Sequence, residues 1–114
     1  MKEINIIFEI KNKENPYLYQ GLATFKDNVI RYKDENSNVL FDIKRKMMIK
    51  KDDEKLLKID FDKKMLIINS KSINFNIEIE VTKYEFENNE INIIYKIDKE
   101  EIKLKIKIPG GSYE

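Results

Sequence analysis

The sequence has no cysteine, no histidine and no tryptophan, and only three glycines and two prolines in 114 residues. Without cysteine there is no disulfide framework, no thiolate nucleophile and no thiolate metal site. Without histidine there is no Ser–His–Asp triad, no imidazole acid–base catalyst near neutral pH, and no His-ligated zinc or haem. No apolar run approaches the roughly 20 residues a membrane helix needs. The N-terminal stretch from Met1 to Ile10 carries Glu3 and Glu9 within its apolar segment, unlike a signal peptide. An excess of one charge is lacking too: 22 Lys+Arg stand against 21 Asp+Glu, a net charge of +1. General nucleic-acid binders usually show a basic excess. The expectation is a soluble cytoplasmic protein with neither a membrane nor nucleic acid as its partner.

Lysine, isoleucine and asparagine are abundant, at 20, 20 and 12 residues. This is the bias of an AT-rich genome, so a lone Lys or Asn says little about purpose. The length fits one domain spanning residues 1–114. Folding at this size hides roughly two-thirds of the unfolded chain's surface, enough for a core without staples.

The hydrophobic period is two nearly throughout. Ile4, Ile6, Phe8 and Ile10 fall at every second position, and Ile73, Phe75, Ile77, Ile79 and Val81 alternate with polar residues. Ile91, Ile93, Tyr95 and Ile97 repeat the pattern, and Ile102, Leu104, Ile106 and Ile108 alternate with lysines. Alternation rich in β-branched residues predicts antiparallel strands with one dry face and one wet face. Polar clusters such as Asp34-Glu35-Asn36-Ser37-Asn38 and Glu87-Asn88-Asn89-Glu90 mark the turns. Strands are expected at 3–10, 17–26, 29–34, 38–44, 46–50, 55–61, 65–69, 73–86, 90–98 and 101–108. The charged block Lys50–Glu54 interrupts any helical stripe over 46–61, so a hairpin is read there. The apolar phase changes from odd to even after Val81, predicting a β-bulge near Thr82-Lys83 where the sheet turns a corner. Gly21 suggests a second bend.

Many short strands leave edges to manage, and closing the sheet removes them. The expected fold class is therefore all-β: an antiparallel closed barrel of about 8–10 short strands. With so many inward apolar side chains, the interior is expected to be filled, with at most a narrow pocket near one mouth.

The stretch Gly21-Leu22-Ala23-Thr24-Phe25-Lys26-Asp27-Asn28-Val29-Ile30-Arg31-Tyr32 carries a likeness, with Leu66–Ile73, Asn92–Ile97 and Pro109-Gly110-Gly111. Over residues 20 to 111 the chain resembles the YwiB-like family of bacterial proteins. That family has a calycin-type (lipocalin-like) barrel. The resemblance implies such a barrel and, by analogy, binding of a small ligand or a partner. It carries over no functional residues, and Asp62-Lys63-Lys64 departs from the glycine-containing turn the pattern leads one to expect.

No motif selects catalytic, cofactor or metal-binding residues. Asp60, Asp62 and Asp52-Asp53-Glu54 flank turns, where aspartate is favoured for local hydrogen bonding. The cations of Lys44–Lys51 are matched by Glu78, Glu80, Glu85, Glu87 and Glu90, which suggests a solvated face with charges paired across strands. The tyrosines Tyr17, Tyr19, Tyr32 and Tyr95 are candidate ligand-binding rings, as is Tyr84 in principle, against the plainer reading of core rings with hydroxyls at the rim. Arg31 is the candidate anion anchor if it faces the lumen, and a surface residue if Ile30 and Tyr32 do. The middle strands are apolar on both faces. Phe41, Met47, Met48, Ile49, Leu57 and Leu66 therefore form a candidate homodimer interface. Together these features suggest a non-enzymatic barrel that binds a small apolar or anionic ligand or a protein partner. The alternatives are an enzyme using carboxylate and tyrosine chemistry at the barrel mouth, and a single-stranded nucleic-acid binder.

Overall fold

Among the described residues, the alternating pattern becomes ten strands. The computed structural model describes residues 2–14 and 16–109. Its elements are β1 (Lys2–Lys11), β2 (Tyr17–Lys26), β3 (Val29–Lys33), β4 (Asn38–Asp42), β5 (Met47–Lys51), β6 (Lys55–Asp60), β7 (Met65–Ser70), β8 (Asn74–Glu87), β9 (Glu90–Ile97) and β10 (Glu100–Lys107). Every expected strand is present, with ends displaced by no more than two residues. Each strand pairs antiparallel with its neighbours in sequence, and β1 pairs with β10 to close the barrel.

Inward residues form one continuous core. Ile6, Phe8, Ile30, Phe41, Ile91, Ile93, Leu104 and Ile106 are its most completely buried large side chains. Burying each stabilises the fold by about 1.5–3 kcal/mol. The expected dry face of β8 is only partly dry. Phe75 is 40% exposed, and Ile73, just before the strand, is 56% exposed.

The middle of the barrel is a repeated hairpin. β3, β5 and β7 begin at Val29, Met47 and Met65, 18 residues apart each time. Asp34, Asp52 and Ser70 hold the same place in the three hairpin tips. Each backbone N–H bonds the carbonyl three residues on, in Ser37, Lys55 and Ile73. Each side-chain oxygen accepts from the amide of that same residue. At the opposite ends, Asn28, Lys46 and Lys64 have positive φ, and their carbonyls accept from Ile43, Phe61 and Ile79. The Asp62-Lys63-Lys64 turn works without glycine because Asp60 Oδ1 accepts from the Asp62 and Lys63 amides.

This pleat corrects the expected dimer patch. Phe41, Met48 and Leu66 point inward and are buried, and Leu57 is half-buried against the core. In a period-two strand only alternate residues can face outward, so Met47 and Ile49 alone of that set lie outside. Ile49 sits opposite Leu40 on β4 and Lys58 on β6, half-buried. The acids expected to match Lys44–Lys51 are also elsewhere: Arg45 meets Asp42 at 3.9 Å and Lys50 meets Asp34 at 4.0 Å.

Two strands turn the corners. β8 pairs β7 through Asn74–Glu78, then β9 through Ile79–Glu87, with the expected bulge between Val81 and Lys83. β2 pairs β1 along almost its whole length but β3 only through Thr24, Phe25 and Lys26. Closure of the barrel therefore does not remove every edge.

Candidate functional site at the β2–β3 opening

The opening follows from one turn. Asp27 and Asn28 link β2 to β3, both with positive φ (54° and 65°), the signature of a two-residue type I′ hairpin. Such a turn makes Lys26–Val29 a hydrogen-bonded pair, and two residues on Thr24–Arg31 is the next. The ladder ends there; Leu22 and Lys33 are the next residues in register and do not pair. On the other side, Tyr17, Tyr19, Gly21 and Ala23 face Ile10, Phe8, Ile6 and Ile4 of β1. Alternation then directs the N–H and C=O groups of Leu18, Gln20 and Leu22 to the open side.

Tyrosine rings fill the split from within. Tyr19 stacks on Tyr32 with ring centroids 4.0 Å apart and planes 15° from parallel. Its hydroxyl passes Gly21 and donates to the Leu22 carbonyl at 2.6 Å. A Cβ at position 21 would lie 3.0 Å from the Tyr19 hydroxyl oxygen, so glycine here makes room for a ring. Phe8 supports the group edge-on, 5.8 Å from Tyr17 and 5.7 Å from Tyr32.

A short hydrogen-bond chain runs outward from the core. Tyr17 donates to Asp34 Oδ2 at 2.8 Å. Its only proton is then used, so Tyr32 is the donor in the 2.8 Å contact between the two hydroxyls. Asp34 Oδ1 accepts from the amides of Asn36 and Ser37 and from the Ser37 hydroxyl. Lys50 Nζ stands 4.0 Å from Asp34 Oδ2 and 4.4 Å from the Tyr17 ring centroid. Burial alone would raise the Asp34 pKa. The hydrogen bonds from Tyr17, Ser37 and the two amides outweigh it and hold the carboxyl at about 2. Burial pushes Tyr17 and Tyr32 well above the ordinary tyrosine range, so both remain neutral. All three hydroxyl protons of Tyr17, Tyr19 and Tyr32 are committed within the protein.

Outside this cluster lies an open cleft of about 800 Å³. One wall is Tyr17, Leu18, Tyr19 and Gln20 of β2; the other is formed by the tips of the β3–β4 and β5–β6 hairpins, with Lys33, Asp34, Asn36, Lys50, Asp52 and Lys55 among its residues. Both signs of charge line it, so it is not an anion trap.

No family model, curated protein or solved structure matches this chain.

Of the residues singled out from sequence, Tyr17, Tyr19 and Tyr32 converge at this cleft. Tyr95 does not. It is buried in the other corner against Phe61, 5.4 Å between centroids, and burial raises its pKa to about 12. Arg31 lies exposed on the outer face, opposite Leu40 of β4, and so does not enter the lumen. Asp34, Lys50, Leu18 and Gln20 were not singled out. Asp34 looked like one turn acid among many; its tyrosine partner, Tyr17, is 17 residues away in sequence, and only the fold joins them. The absence of any charge from Tyr17 to Phe25 was the visible signal for the edge.

The carboxylates with displaced pKa values, Asp34, Asp52 and Glu90, are all lowered. At Asp52 the cause is the amides of Glu54 and Lys55; at Glu90 it is the Asn92 side chain. A carboxyl held low is a poor proton donor near neutral pH. Among the described residues, no group of three or more acidic side chains is placed to hold a metal ion, and no helix is long and apolar enough to cross a membrane.

Proposed function

We propose that this barrel binds a protein partner by adding an extended strand of it to the open edge of β2. One observation carries this reading: the β2–β3 ladder ends at Thr24–Arg31, leaving the main-chain groups of Leu18 and Gln20 facing a cleft. Strand addition draws its affinity from such unpaired groups and its selectivity from side chains beside them. Leu18 and Leu22 supply apolar contacts, 63% and 57% exposed on the outer face. A small apolar ligand in the lumen fits less well, because core side chains occupy that space. A calycin-like classification, the likeness to the YwiB-like family and a cytoplasmic setting belong to the same proposal. The up-and-down order of consecutive strands supports the first two. Lysines facing outward along β10 support the third, since a membrane barrel presents an apolar outer band.

Amide hydrogen exchange tests the reading. In the monomeric chain the amides of Leu18 and Gln20 exchange fast, whereas those of Tyr19 and Gly21, bonded to β1, are protected. Adding a synthetic peptide of alternating valine and threonine slows the first pair and leaves the second unchanged. Leu18 and Gln20 amides already protected in the monomer would end the proposal.

A further inference from the structure

The open edge of β2 is complementary to itself. Resting on the strand-addition reading, we infer that the added strand is the β2 of a second copy of this chain, paired antiparallel about a two-fold axis at Gln20.

An antiparallel two-fold through Gln20 sets Gln20 opposite the partner's Gln20. It sets Leu18 opposite the partner's Leu22, and Leu22 opposite the partner's Leu18. All three residues turn their N–H and C=O groups to the open side, so every facing pair on this row is a hydrogen-bonded one. The Leu22 carbonyl already accepts from Tyr19, and its second lone pair remains for the partner. On the outer face, Leu18 and Leu22 are the two most exposed large apolar side chains described. The pairing brings one of each together on both sides of the axis, and the Gln20 amides meet between them.

Charge favours the same occupant. Residues Tyr17 to Phe25 contain no Asp, Glu, Lys or Arg, in a chain that is 38% charged. Edge strands that stay single usually carry a charge, often lysine, as a guard against pairing. This edge has none, and a two-fold therefore brings no like charges together. The other apolar outer face, at Leu40, Met47 and Ile49, is already half-buried and interrupted by Lys58 and Arg31.

Light scattering on the full chain, together with two substitutions, decides the matter. The wild-type chain is expected at twice 13.7 kDa at tens of micromolar. Gln20→Pro removes the central edge N–H without touching the β1 ladder, and proline is tolerated at such a position. It is expected at the single-chain mass with an unchanged far-UV spectrum. Gln20→Lys, which places two like charges on the axis and leaves the backbone intact, is expected to do the same. The chain has no cysteine, so Gln20→Cys introduces the only thiol. Facing Cα atoms in a hydrogen-bonded pair lie about 5.5 Å apart, within disulfide reach. Gln20→Cys should therefore oxidise to a covalent dimer, and Leu18→Cys, which faces leucine, should not. A wild-type monomer, a dimer that survives both Gln20→Pro and Gln20→Lys, or equal cross-linking of the two cysteine variants overturns the inference. A monomer whose Leu18 and Gln20 amides respond to the valine–threonine peptide overturns the second copy alone. A monomer with those amides protected overturns strand addition as well.

Discussion

β2 and β8 both carry the wall of the barrel round a corner, and both do so over an aromatic cluster. At the β8 corner, Tyr84 donates to the Ile43 carbonyl at 3.1 Å, packs on Phe61, and lies 5.2 Å beneath Lys46 Nζ. At the β2 corner, Tyr17 donates to Asp34, packs on Phe8, and lies beneath Lys50. The plan is shared and two details differ. Tyr84 is tied to a neutral backbone group, Tyr17 to an ionised carboxylate. β8 carries Glu78, Glu80, Lys83, Glu85 and Glu87 where it changes partners, whereas β2 carries no charge from Tyr17 to Phe25. Charged residues on a partly unpaired strand discourage a second chain from pairing with it. One corner thus carries guarding charges and a neutral tether, and the other carries no guarding charge and an ionised tether.

The largest test of this contrast removes the ring beneath each corner. Phe8→Ala and Phe61→Ala should each lower stability by about 3–5 kcal/mol in urea unfolding, because both side chains are buried and leave a cavity. A loss below about 1 kcal/mol at either site would mean that corner is not packed as described. Next come the two tethers. Asp34→Asn removes a charged acceptor shared by a tyrosine, a serine and two amides, and should cost about 1.5–3 kcal/mol. Tyr84→Phe removes one neutral hydrogen bond and should cost about 0.5–1.5 kcal/mol. Equal losses would erase the distinction between the corners.

Titration sharpens the same point. Asp34 has its pKa lowered from 3.8 to about 2 in the fold. A carboxyl lowered in this way stabilises fully above its unfolded value and loses that stabilisation as pH falls through its folded value. Stability should therefore drop between about pH 4 and pH 2, and Asp34→Asn should flatten this part of the acid limb. Tyr84 and Tyr95 behave oppositely. Burial raises both from 10.0 to about 12, so their neutral forms favour the fold below pH 10, and that contribution fades as pH rises toward 12. An acid limb unchanged by Asp34→Asn would show that the carboxylate does not tie the β2 corner.

Much of the fold was legible in the sequence because a pleated strand with one buried face writes a period of two. Ile102, Leu104, Ile106 and Ile108 need no more context than that, and the odd-to-even shift after Val81 located the bulge. The reading failed where both alternate positions were apolar. In Met47-Met48-Ile49 the pattern cannot say which side chain is inside, so Met48 was grouped with its outward neighbours. It failed again where a contact joins distant residues. Tyr17, Tyr32 and Asp34 meet because β2 and β3 diverge after Thr24, and a split in a ladder leaves no period of its own. The 18-residue spacing of β3, β5 and β7 was there to be found, with Asp34, Asp52 and Ser70 in register. Loose identity between the three hairpins hid it behind the lysine and isoleucine background.

The smallest expected change in stability is the one most informative about association. Gln20→Lys places a charge on the outer face of β2, where Gln20 is exposed and its backbone bonds nothing in the chain's own ladder. Surface substitutions of this kind usually shift stability by less than about 0.5 kcal/mol. Any larger loss of two-chain mass in light scattering would therefore come from the edge and not from the fold. The reciprocal change belongs on β8. Glu80 is exposed and faces Lys96 across the ladder. Glu80→Gln removes one guarding charge and a cross-strand partner, at a cost of about 0.2–1 kcal/mol. If charge alone separates the two corners, Gln20→Lys should abolish association while Glu80→Gln leaves it unchanged, because Lys83, Glu85 and Glu87 still guard β8. Loss of association in the Glu80 variant would move the contact to the β8 corner and undo the contrast.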